Sequence, residues 1–136
     1  RREIIELSTI QSGATPDAAV VDAQVRQWTS PWARSFIALD PAAALRKVKC
    51  PVLALNGLLD TQVPADANLN AIEAALKEAG NHDVTIRTLP GINHLFQRAS
   101  TGSPTEYAVI EETIAPDVLR LIGDWILQRV RKNAEE

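Results

Sequence analysis

The 136-residue chain has no methionine, one cysteine, two histidines and six aromatic side chains. The single Cys50 excludes an internal disulfide and a cysteine-rich zinc module. Placed before Pro51, it reads as a small buried hydrophobe rather than a nucleophile. No apolar run approaches the ~18 residues of a membrane span, and no signal-type apolar segment follows Arg1-Arg2. Lys and Arg total 14 against 17 Asp and Glu, a net charge of −3 with no basic block. Nucleic acid is therefore not an expected partner, since binding it rests on neutralising phosphates. Translated chains begin with Met, so the expectation is a processed chain or a portion of a longer one. The opening Arg1–Leu7 favours the portion, because it reads as helix with no cap before it and a stop at Gly13. The remaining composition, 46% apolar and 23% charged, is that of an ordinary globular domain.

The pattern that is present alternates helix and strand. Thr15-Pro16-Asp17 has the residues of a helix start, and Ala18, Val21, Val25 and Trp28 then form one apolar stripe. This predicts a helix over about 16–29, broken at Pro31. Asp40-Pro41 starts a short helix over about 41–47. Val52-Leu53-Ala54-Leu55 is continuously apolar, as in a strand buried on both faces, and predicts a strand over about 51–56. Leu69, Ile72, Leu76 and Ala79 mark a helix over about 65–79, stopped by Gly80-Asn81. Val84–Leu89 alternates, as a strand exposed on one side does. The last helix, about 116–131, should bury Val118, Ile122, Trp125 and Ile126. The centre is thus a βαβ unit of two parallel strands, an α/β fold class. Two strands fall short of the usual ~4–6, so the strand over 51–56 has an edge open to another chain.

Ligands of parallel sheets gather at the carboxyl ends of the strands. Asp60 follows the first strand and His94 the second, so adjacent strands deliver a carboxylate and an imidazole to one rim. A catalytic base and its orienting acid need this pairing. The structural alternatives are an Asx-turn or cap for Asp60 and a packing or helix-starting role for His94, beside Leu95 and Phe96. Asn93 and Gln97 flank the histidine and are candidates to orient it or to touch substrate. His82, in the turn Asn81-His82-Asp83, belongs at the opposite end of its strand and reads as solvated, which disfavours a metal site with Asp60 and His94.

These residues resemble a known family. Pro51–Gly57 with Asp60, Val63 and Pro64, then Leu89-Pro90-Gly91 with Asn93-His94, is similar to the C-terminal end of an α/β-hydrolase. There G-x-x-D-x-x-V-P carries the triad acid and an H-x-F-like turn carries the triad histidine. Asp60 and His94 match those positions, and Phe96 fits the second motif. Residues 32–41 and 101–107 resemble bacterial esterases and prolyl-oligopeptidase-like peptidases. The resemblance implies a serine hydrolase without metal or cofactor, acting on carboxylic esters, with a peptidase as the alternative. It also implies that about 1–40 form a cap-like helical region and about 41–136 carry the last two strands. Trp28, Trp32 and Phe36 pack in a core by default; under the resemblance they, with Phe96, become candidate substrate contacts.

The nucleophile of that family stands in G-x-S-x-G. Ser8, Ser12, Ser30, Ser35, Ser100 and Ser103 are the serines here, and none lies in that pattern. The expectation is a C-terminal fragment that supplies acid and base and is inactive by itself. Its partners would be the N-terminal part of the same hydrolase, or a second copy at the edge of 51–56, and an ester substrate in the assembled enzyme. A non-catalytic chain that associates through that edge is the reading from another class.

Overall fold

The computed structural model describes Arg2 and residues 15–135, in two compact units divided after Asp40. The expected opening helix with its stop at Gly13 lies outside the described residues, Arg2 apart.

In the first unit α1 spans Ala18–Trp28 and α2 spans Pro31–Ala38. Asp17, not Thr15, caps α1, its Oδ1 accepting the Ala19 N–H at 2.7 Å. The second helix departs from the sequence reading, which took Pro31 only as a breaker. Proline lacks an N–H that a first turn would leave unused anyway, and Ser30 Oγ accepts from Ala33 N at 3.2 Å, so Ser30-Pro31 starts a helix. Val21 and Ala33 are buried, whereas Trp28, Trp32 and Phe36 are all more than half exposed, against the core-packing expectation. Trp32 and Phe36 stand one helical turn apart, and their rings stack at 5.4 Å.

The second unit begins with α3, Pro41–Leu45, and continues as β1 (Val52–Gly57), α4 (Ala65–Glu78), β2 (Val84–Leu89) and α5 (Pro116–Glu135). The strands are parallel, in register from Val52 opposite Val84 to Gly57 opposite Leu89. Helix α4 packs against both strands, burying Leu69 and Leu76. It stops as expected: Gly80 takes a φ of +68° and Asn81 N reaches back to Leu76 O at 3.0 Å. Against α5 the core consists of Leu89, Ile92, Ala115 and Val118, with Leu55, Phe96 and Ile122 packed beside it. Trp125 donates its indole N–H to Thr85 Oγ1 at 3.0 Å, and Arg129 lies over its ring.

Two burial expectations fail for one reason. Leu53 and Leu55 are only half-buried, and Ile126 on α5 is exposed. All three border an open apolar groove along β1, because among the described residues the sheet has two strands and β1 pairs on one side. Cys50, at the entry to β1, is exposed rather than buried.

The strands stay bonded beyond their ends. Leu58 N donates to Leu89 O and Leu59 N to Ile92 O, both at 2.9 Å. Gly57 permits this approach, since a Cβ there would overlap the carbonyl oxygen of Ile92. Gly91 differs: its φ is +69° but a Cβ would meet nothing. Gly57→Ala should therefore cost about 2–3 kcal/mol through overpacking, and Gly91→Ala only about 1–2 kcal/mol through backbone strain. Urea unfolding of the two variants checks the order; equal losses would contradict the packing account.

Candidate active site

The loop after β1 holds Asp60 by both oxygens. Oδ1 accepts the backbone N–H groups of Gln62 at 2.9 Å and Val63 at 2.8 Å. Oδ2 accepts from the Asn56 amide at 3.2 Å and pairs with His94 Nδ1 at 3.0 Å. The Asx-turn and the histidine partnership, alternatives in the sequence, are thus both present, one on each oxygen. The Asp60 side chain is 7% exposed and that of His94 36%, so the acid is enclosed and the ring reaches the surface. Burial pushes the Asp60 carboxyl up, but the Val63 N–H, His94 and the Gln62 N–H together outweigh it and hold the group below its ordinary 3.8.

An ionised carboxylate only accepts, so in the neutral ring Nδ1 of His94 carries the proton and Nε2 keeps its lone pair. This arrangement can take a proton from a hydroxyl at Nε2 and share the resulting positive charge with Asp60.

The turn that carries His94 is built by its neighbours. Asn93 Oδ1 accepts from Leu95 N at 3.0 Å and Gln97 N at 2.9 Å, while its Nδ2 donates to Gln97 Oε1 at 3.0 Å. Gln97 in turn donates to Glu112 O at 2.9 Å. Both amides are buried, and they orient the His94 turn. Phe96 occupies the left-handed region at φ 59°, and its carbonyl accepts from Ala115 N at 2.8 Å, tying the turn to the start of α5. The Phe96 ring packs on the core and also walls a cavity of about 180 Å³ beside Asp60 and His94. Trp28, Trp32 and Phe36 belong to the first unit.

A second loop supports the first. Gly102, at φ +77°, lies so close to Leu59 that a Cβ would overlap the Leu59 carbonyl. Thr61 Oγ1 donates to Gly102 O at 3.1 Å, and Gln62 Nε2 to Tyr107 Oη at 2.7 Å. Glu106 closes this loop by accepting from Thr101 N and Gly102 N, each at 3.0 Å. The polar stretch 100–107 thereby braces the acid's loop. Its sequence signal was the glycine at 102 followed by a residue able to cap.

His82 precedes β2 while His94 follows it, and among the described residues no three His, Cys, Asp or Glu side chains gather into a metal-binding group. Among them also, no helix is long and apolar enough to cross a membrane.

The Asp60 geometry sets a pH dependence. With its pKa depressed on folding, the stabilisation is complete above 3.8 and is lost as pH falls through the lower folded value. Asp60→Asn removes this component. Urea midpoints of the wild type and the variant should separate above 3.8 and converge as pH falls through the lower folded value of Asp60. Parallel curves over that range would contradict the pairing.

The model of the prolyl oligopeptidase family matches residues 9–112, a span that contains Asp60, His94 and Phe96. No curated protein and no solved structure matches. With most of its length matched, the chain belongs to the prolyl oligopeptidase family, whose members are serine hydrolases of α/β-hydrolase type.

Proposed function

We propose that Asp60 and His94 are the acid and base of a Ser-His-Asp triad, and that the chain forms the C-terminal part of an acyl-transfer hydrolase. The observation that carries this reading is the 3.0 Å contact between His94 Nδ1 and the enclosed Asp60 Oδ2. It leaves Nε2 of a surface-reaching ring as the basic atom. His94 removes the proton of a serine hydroxyl as that oxygen attacks the substrate carbonyl, then returns it to the leaving group. It next takes a proton from water, whose oxygen attacks the acyl-enzyme; the acyl–serine bond then breaks and His94 returns the proton to the serine oxygen. Asp60 stays ionised throughout and stabilises the imidazolium.

The serine is supplied by residues outside this sequence, because no serine here lies in G-x-S-x-G. The open edge of β1, with the apolar groove lined by Leu53, Leu55 and Ile126, is where the rest of the sheet docks in this reading. Family membership favours a peptide bond over the carboxylic ester as substrate. The same acylation chemistry cleaves an activated ester, whose leaving group departs without needing full protonation.

In the hydrolase assembled with its serine, His94→Ala should lower kcat for peptide substrates by at least about 10³-fold. A near-normal rate would remove His94 from the base role. The 136 residues alone should show no stoichiometric labelling by an organophosphonate, and rapid labelling would place the nucleophile within them. Comparing proline-containing peptides with short p-nitrophenyl esters on the assembled enzyme separates peptidase from esterase.

A further inference from the structure

Asn56 is the last side chain of β1 before Gly57, and it is 4% exposed. A buried primary amide costs free energy unless its donors and acceptor are all used. Here they are. Asn56 Nδ2 donates to Val63 O at 3.1 Å and to Asp60 Oδ2 at 3.2 Å, and its Oδ1 accepts from Asn68 Nδ2 at 2.9 Å.

The orientation of this amide is determined by its surroundings. The Val63 carbonyl can only accept, and so can an ionised Asp60 oxygen, so the NH₂ of Asn56 faces them. Its oxygen is left facing α4, where Asn68 must present its own NH₂. The result is a directed chain, Asn68 to Asn56 to Asp60 Oδ2, ending on the oxygen that His94 uses. Of the described residues lining the cavity at the pair, Asp60 and His94 are the ones that titrate, and Asn56 and Asn68 are uncharged polar donors.

The geometry points to Asn56 as a positioning residue for the base, polarised by Asn68, that holds Asp60 Oδ2 in line with His94 Nδ1. This role rests on the reading of Asp60 and His94 as acid and base. The two backbone N–H groups fix Oδ1. They leave Oδ2 to be fixed by side chains, and among the described residues the one remaining without Asn56 is the histidine it must orient. A donor aimed at Oδ2 from the strand end supplies that restraint independently of the protonation state of the ring. Asn68, in the first turns of α4, has its own backbone N–H bonded to Pro64 O at 3.1 Å. The helix thus fixes the far end of the chain, and the acid's geometry is coupled to the packing of α4 on β1.

The test follows the Asp60 carboxyl ¹³C signal by NMR through acid titration of the 136-residue chain. Asn56→Leu keeps the branching and heavy-atom count of the side chain and removes the donor, and it should raise the Asp60 midpoint toward 3.8. Asn68→Ala, a favourable helix substitution, should raise it by less. The double variant should match Asn56→Leu alone, because Asn68 acts through Asn56. A purely structural role would lower the urea midpoint of these variants without moving the Asp60 titration. Should Asn56→Leu fail to fold, Asn68→Ala decides by the same readout.

His94→Ala separates this proposal from the reading beneath it. If removing the ring leaves the Asp60 midpoint in place, the acid–base pair falls and this role falls with it. If His94→Ala raises the midpoint but neither asparagine variant does, the pair stands and the positioning role is overturned.

Discussion

The site depends on one close approach. Where β1 and β2 end, the chain segments that leave them remain bonded, with Leu58 and Leu59 donating to Leu89 and Ile92. Only a residue without a Cβ fits at position 57 against the Ile92 carbonyl. Parallel strands often diverge into separate loops at their carboxyl ends; here they are held together for two more residues. That contact places the Asp60 loop and the His94 turn side by side, so groups 34 residues apart in sequence meet at 3.0 Å. The register of the sheet and the absence of a side chain at Gly57 therefore fix the base before any polar contact is counted.

Polar contacts then remove the remaining freedom. Backbone N–H groups hold one oxygen of Asp60, Asn56 and His94 hold the other, and the loop carrying Gly102 and Glu106 braces the whole turn. The histidine is treated in parallel: Asn93 and Gln97 fold its turn from within and Phe96 ties it to α5. Each loop is therefore rigid by its own bonds, and the ion pair joins two prepared partners rather than organising them. Preorganisation of this kind lets a base act without rearranging at the moment of proton transfer. The outer side of β1 contrasts with this: its apolar groove is open, and Leu53, Leu55 and Ile126 are exposed to it.

Much of this was legible in the sequence. Both strands, their parallel pairing and the helix between them follow from hydrophobic period and the Pro and Gly punctuation. Asp60 and His94 follow from their places just past the strand ends. The buried amides were not legible. Nothing local shows that the Asn56 side chain points inward, because its partners come from the loop at 60–63 and from Asn68 on α4. Asn93 and Gln97 were visible as neighbours of the histidine, but the bonds between them needed the left-handed residue at Phe96. Helix α2 was missed because a proline was read as an end when its preceding serine made it a start. The exposed Trp28 and Ile126 show where periodicity misleads: a stripe says which residues share a face, not that the face is covered.

The central claim is that Asp60 makes His94 a base at Nε2. The ¹⁵N shifts of the His94 ring at neutral pH test it most directly, with His82 as a reference in the same chain. The account predicts that the neutral ring holds its proton on Nδ1, with a hydrogen-bonded Nδ1–H signal that Asp60→Asn abolishes. A His94 ring protonated on Nε2, with no signal dependent on Asp60, would contradict it.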